Sequence, residues 1–123
     1  MEVDMPMLGF QLDSFRAMVM KIRDDAEHKR KAHVAAIVAA ANDRWDVGDV
    51  LESSQRESGL VVSAAEAEVA SLTGVLADQA LKRMDKGVFG ICIDCRQDIA
   101  LLRLIAQPLA ARCIRCQGEL EKV

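Results

Sequence analysis

The sequence predicts a mainly α protein: a long antiparallel helical (coiled-coil) hairpin with a C-terminal four-cysteine finger and a short terminal helix. Three observations lead there. Hydrophobic residues make up 51% of the 123-residue chain while aromatics are only 3%, so the apolar content is mostly Ala, Val, Leu and Ile, which build helices better than sheets. Two long stretches repeat apolar residues at alternating spacings of three and four, which keeps one stripe along one side of a helix. The last third of the chain holds all four cysteines as two Cys-x-x-Cys pairs, Cys92/Cys95 and Cys113/Cys116.

The first stretch runs through Leu12, Phe15, Val19, Ile22 and Ala26 and resumes at Ile37 and Ala41. It predicts a helix over 13–41, interrupted in its stripe near 29–33, where Lys29, Arg30 and Lys31 form a solvated face. Turn formers crowd 42–49 and mark the hairpin tip, with Asp49 and Glu52 spaced as a capping box for the helix that follows. Trp45, the single tryptophan, falls on this tip, where little core exists to bury it. It is either a contact anchor or folded back on the helix ends.

The second stretch, Val62, Ala65, Val69, Leu72, Leu76 and Ala80, predicts a helix over 63–84, weakened by Gly59 and Gly74, with a bend at Thr73-Gly74. Two such helices joined by a short polar link fold back on each other, since neither has another apolar surface to cover. Residues 1–81 are therefore expected to form the hairpin, and 82–123 the finger module.

In the finger, Gly87 reads as a helix stop, Phe89 as a core plug and Gly90 as a turn beside the first cysteine pair. Helical periodicity over 98–106 ends before Gln107-Pro108, and a last short helix is expected over 114–122. The two cysteine pairs stand 17 residues apart. That spacing fits a tetrahedral zinc site with Cys92, Cys95, Cys113 and Cys116 as ligands, each pair gripping the metal from a tight knuckle. Four thiolates close the coordination sphere, so the one expected zinc is structural and has no open position for catalytic water. It would contribute about 10 to 16 kcal/mol, by analogy with zinc-finger peptides, so the finger should need its metal to fold. The competing reading, two disulfides, calls for an export signal, and the acidic start Met1-Glu2-Val3-Asp4 does not supply one.

Charge divides along the chain. Residues 1–81 carry 8 Lys+Arg against 14 Asp+Glu, whereas 82–123 carry 8 against 5. An acidic hairpin and a basic finger should meet different surfaces. The overall charge of −3 disfavours sequence-independent DNA binding, which draws its affinity from neutralised phosphates. The longest apolar run, 34–41, is far short of a bilayer span, so a membrane is not an expected partner and the cytoplasm is the expected location. No nucleophile–base pair, phosphate loop or open metal site suggests an enzyme.

Over 81–117 the chain resembles the DksA/TraR family of C4-type zinc-finger transcription regulators. The residues that carry the likeness are Leu81-Lys82-Arg83-Met84, Gly87, Phe89-Gly90, Cys92, Cys95, Ile99, Arg103-Leu104, Ala106, Pro108, Cys113-Ile114 and Cys116. The resemblance implies a bacterial protein that binds RNA polymerase by inserting its hairpin through the secondary channel. Acidic tip residues then approach the catalytic centre, with no direct sequence-specific DNA binding. The family's Asp-x-x-Asp-x-Ala tip motif falls on Asp46-Val47-Gly48-Asp49-Val50-Leu51, which assigns the modulating role to Asp46 and Asp49, with Trp45 beside them, and puts Leu51 in place of the alanine. Gln107 stands where the family places an arginine that contacts guanosine tetraphosphate, and Gln lacks the fixed charge and forked geometry for phosphate. An internally paired hairpin favours a monomer. Two other readings compete: a zinc-ribbon nucleic-acid binder using Arg96, Arg103, Arg112 and Arg115, and a structural coiled-coil protein that pairs with itself.

Overall fold

The computed structural model describes residues 9–42 and 50–122. Among the described residues there are four helices, α1 (Gly9–Asn42), α2 (Val50–Asp85), α3 (Leu101–Ala106) and α4 (Ile114–Glu121). Among the described residues the only β pairing is one isolated antiparallel bridge, Ile91 with Asp98. The chain is thus mainly α, as its composition and periodicity predict. Trp45, Asp46 and Asp49, and with them the tip and the expected Asp49 cap, lie outside the described residues. No described helix is long and apolar enough to cross a membrane.

Both long helices exceed their expected bounds. α2 begins 13 residues ahead of position 63 and runs as one continuous helix through Gly59 and Gly74, with no interruption at Thr73-Gly74. A glycine costs a helix about 1 kcal/mol relative to alanine. Within a 36-residue ladder, where each further residue adds a hydrogen bond to an existing nucleus, that cost is absorbed. A Cβ built on either glycine meets nothing within 4 Å, so neither residue marks a close approach.

The chain divides into two compact units, one of Met1–Ile22 with Leu76–Val123, the other Arg23–Val75. In each, a stretch of α1 lies against a stretch of α2. The first unit contains the core: Phe15 and Val19 of α1 cluster with Ala77, Ala80 and Met84 of α2 and with Phe89, Cys92, Ile99 and Leu104 of the finger. An ion pair, Arg16 to Asp85 at 3.1 Å, spans the two helices at the edge of this core. In the second unit Ala26 and Ala70 are buried, and His33 Nε2 lies 2.9 Å from a Glu66 carboxylate oxygen.

α1 buries the stripe its sequence predicts, Phe15, Val19 and Ala26, with Leu12, Ile22 and Ile37 half-buried. Ala40 takes the inward place expected of Ala41, and the stripe continues through half-buried Arg30 and His33. Lys29 and Lys31 are exposed as expected, and Arg30 pairs with Glu27 one turn back.

α2 turns a different face inward from the one predicted. Val62, Val69 and Leu72 are 54%, 65% and 59% exposed, and of the expected stripe only Ala80 is buried. The inward line is Ser63, Ala67, Ala70, Gly74, Ala77, Leu81 and Met84, a heptad spacing rich in small residues. Both lines have helical period, and hydrophobicity alone selects the larger side chains. The bulky residues already on α1, Phe15 and Val19, are instead received by alanines, because two large stripes facing each other would overfill the space between helices.

That choice of face is measurable. Ala77→Leu should cost about 1 to 3 kcal/mol by overpacking. Gly74→Ala should gain about 0.5 to 1 kcal/mol from helix propensity, and Val69→Ala should shift stability by no more than about 0.5 kcal/mol. Urea denaturation of the metal-loaded protein followed by circular dichroism reads all three. If Val69→Ala proved the costliest, the inward face would be the other one.

Candidate metal centre

The end of α2 aims the chain into the first knuckle. Gly87 takes a φ of 76°, its N–H donates to the Met84 carbonyl at 3.1 Å, and the Val88 N–H donates to Arg83 at 2.9 Å. This pair of bonds is a Schellman motif, and the left-handed residue it requires is the glycine expected as the helix stop. Phe89 then enters the core, its ring 5.5 Å from that of Phe15 and inclined at 49°. Gly90, at φ 85°, reverses the chain so that its carbonyl accepts from the Ile99 N–H at 2.8 Å.

Residues 91–98 form a small loop closed by the Ile91–Asp98 bridge and by the Cys92 N–H donating to the Gln97 carbonyl at 2.8 Å. At its turn the Arg96 N–H donates to the Cys92 carbonyl, and Arg96 itself has a φ of 64°. A side chain in this region is strained, so the knuckle holds its shape through its hydrogen bonds and not through residue preference. The helix expected over 98–106 begins only at Leu101, because the backbone of Asp98 and Ile99 is committed to the pairing with 90–91.

The second knuckle is a helix start. Cys113 is the N-cap of α4, its sulfur accepting from the Cys116 N–H at 3.4 Å and its carbonyl from Gln117 at 2.9 Å. A thiolate suits this position, since the first turn of a helix presents unsatisfied N–H groups and a positive dipole end. The two knuckles are joined by the Ile93 N–H donating to the Ala111 carbonyl at 3.0 Å.

Together these turns bring the sulfurs of Cys92, Cys95, Cys113 and Cys116 within 4.8 Å of one another. None is in a disulfide, and the Cys95 and Cys113 sulfurs stand 3.8 Å apart, far beyond a covalent S–S length. Cys92 is buried in the core and the other three are half-buried. Without a cation the cluster cannot ionise evenly. Backbone N–H donors, that of Cys95 first, bring the Cys92 thiol down to about 6, whereas its hydrogen bond with Cys113 and then burial push Cys116 up to about 12. Cys113 is also lowered, chiefly by the Cys116 N–H. Four sulfurs so close, with donors already in place for negative charge, fit a soft-ligand divalent cation of tetrahedral preference. Arg115, whose guanidinium bonds to Cys95, adds positive charge at the rim.

Residues 87–122 match the family model described as "Prokaryotic dksA/traR C4-type zinc finger". Over these residues the chain is similar to the DksA/TraR fingers. It carries a C4-type zinc finger, and zinc is its cofactor. The fold is also similar to that in the "Structure of transcription factor DksA2 from Pseudomonas aeruginosa", with a TM-score of 0.77 and 23% identity over 93% of this chain and 85% of that one. An uncharacterized protein of Aquifex aeolicus (strain VF5) is 31% identical over 77 residues, which cover 63% of this chain and 49% of the relative. The chain thus spans about half the length of that curated relative.

Among the other residues singled out by sequence, Phe89 is the plug it was expected to be, and Gln107 is exposed as the C-cap of α3, its N–H donating to the Arg103 carbonyl. Arg103 and Arg112 face inward to other finger groups: Arg103 Nε donates to the Arg112 carbonyl at 3.0 Å, and Arg112 Nε to Asp94 at 2.7 Å. Asp94 escaped sequence reasoning because its partner lies 18 residues away, and no local period links them.

The unequal thiols give the site a pH dependence of definite sign. Zinc binds thiolate, and the metal-free cluster keeps a proton on Cys116 up to about pH 12, so each zinc bound near neutrality must displace protons. Zinc affinity should therefore strengthen steadily from pH 7 to 9. Calorimetric titrations in buffers of different ionisation enthalpy should show proton release with a final stoichiometry near one zinc per chain. Binding without proton release would mean that the cysteines are not the ligands.

Proposed function

We propose that this protein is a bacterial transcription regulator that binds RNA polymerase, with Cys92, Cys95, Cys113 and Cys116 holding a single structural zinc. It acts by contact and not as an enzyme. The observation that carries the reading is the DksA/TraR finger seated on a fold shared with a protein titled a transcription factor. In this reading residues 1–81 serve as the arm that enters the polymerase secondary channel, and 82–123 as the finger that anchors its base. Asp46 and Asp49, beside Trp45, carry negative charge toward the catalytic centre. The working compartment is the cytoplasm, where thiols stay reduced.

A nucleic-acid role for the finger is weakened by the use of its arginines. Arg103, Arg112 and Arg115 each bond a group of the finger itself, which leaves Arg96 alone of the four candidate arginines, too little charge to track a phosphate backbone. The exposed aliphatic line on α2, Val62, Val69 and Leu72, favours a second reading in which the helices pair with another copy. Sedimentation equilibrium separates the two: a monomer agrees with the polymerase reading, and a tight dimer with a structural coiled coil.

Purified core RNA polymerase should retain the zinc-loaded chain in a pull-down. Loss of retention on chelation would agree with a finger that anchors the base, and failure to bind under any condition would remove the proposal. Asp46→Asn keeps shape while removing charge, so it should abolish most of the effect on promoter output in vitro with binding close to wild type. Asp49→Asn is the companion variant, because Asn still caps a helix, whereas Ala would cost about 0.5 to 2 kcal/mol. Unchanged output with both acids neutralised would reduce the tip to a turn.

A further inference from the structure

The finger contains a chain of polar contacts that no ligand role explains. Asp94 lies inside the first knuckle, between Cys92 and Cys95, and Arg112 immediately precedes Cys113 in the second. Arg112 Nε donates to Asp94 Oδ2 at 2.7 Å, a short charge-assisted bond across 18 residues of sequence. The Arg112 carbonyl in turn accepts from Arg103 Nε at 3.0 Å, which ties the second knuckle to α3. Beside them the Ile93 N–H donates to the Ala111 carbonyl. A side-chain bond and a backbone bond therefore staple one pair of cysteines to the other.

We propose that Asp94, Arg112 and Arg103 form a latch that slows zinc release by holding the two knuckles together, without supplying a ligand. This rests on the four-sulfur zinc site and not on polymerase binding. A four-coordinate ion leaves stepwise. After one knuckle lets go, the ion stays on the other pair, and its fate depends on whether the detached thiolates remain close enough to rebind. Tethered knuckles keep those thiolates at high effective concentration, so recapture outruns escape. Parting the knuckles breaks the Asp94–Arg112 bond first, since it is the most exposed of the staples, with side chains 48% and 29% accessible. The latch thus acts on the rate of loss more than on the geometry of the loaded site. The same exposure makes the pair dispensable for folding.

A simple field effect of these charges predicts a different pattern. If Asp94 and Arg112 acted only as charges near a cation, removing the acid would hasten zinc loss and removing the base would retard it. The latch requires both changes to hasten it.

The test uses the full zinc-loaded chain in excess 4-(2-pyridylazo)resorcinol, with release followed by the colour of the zinc complex and loading checked at the start by metal analysis. Asp94→Asn and Arg112→Gln should each speed release by about threefold to tenfold, the range of a partly exposed charge-assisted pair. The double variant should be no faster than the faster single one, because both remove the same bond. Raising salt should speed release from the wild type and leave Asp94→Asn almost unaffected. Helix content by circular dichroism should be equal in all four proteins. Opposite effects of the two single variants, additive effects in the double, or unchanged rates would each overturn the latch. Failure to load zinc at all would instead overturn the metal assignment.

Discussion

Four sulfurs confined within 4.8 Å pose an electrostatic problem whose solution shapes this protein. As thiolates they repel one another, and as thiols they bury weak donors and acceptors for little gain. A divalent cation among them converts the repulsion into attraction and makes two distant knuckles one body. Cys92 shows how far this reaches, because it is at once a member of the sulfur cluster and of the apolar core, fully shielded from solvent. The core of the first unit and the metal site are therefore not separable structures. Phe89, Ile99 and Leu104 are held against Phe15, Val19, Ala77, Ala80 and Met84 by a loop whose shape the sulfurs help to fix.

Much of this was legible in the sequence, and the reasons differ between elements. The cysteine pairs were readable because metal ligation imposes a spacing that few other demands imitate, and Gly87 because a Schellman end needs a left-handed residue. The α1 stripe was readable because its large residues do face inward. On α2 the same rule selected the wrong line. Its valines and leucines share the helical period with its alanines, and which set turns inward is decided by the size of what α1 presents, information that lies outside α2 itself. The early start of α2 was hidden by Gly59, whose local cost is overridden by the cooperativity of a long ladder.

Contacts between remote residues were the least legible. Asp94 with Arg112, Arg103 with the Arg112 carbonyl, and His33 with Glu66 each join groups that no local pattern associates. The unusual φ of Arg96 was equally silent, since a knuckle can force a charged residue into a conformation that its type does not favour. These are tertiary choices: they become visible only when the chain has been folded back on itself.

The Schellman end of α2 has a mechanical consequence. Only six residues separate Asp85, the last of the helix, from Cys92, and little of that link is free to give. Its start is bonded back to Arg83 and Met84, Phe89 is clamped in the core, and Gly90 is bonded to Ile99. Torque applied to the last turns of α2 therefore has no slack joint in which to dissipate before it reaches the first sulfur. The final helical turns and the first knuckle are thus stiffly coupled, and a load on one bears on where the other holds Cys92.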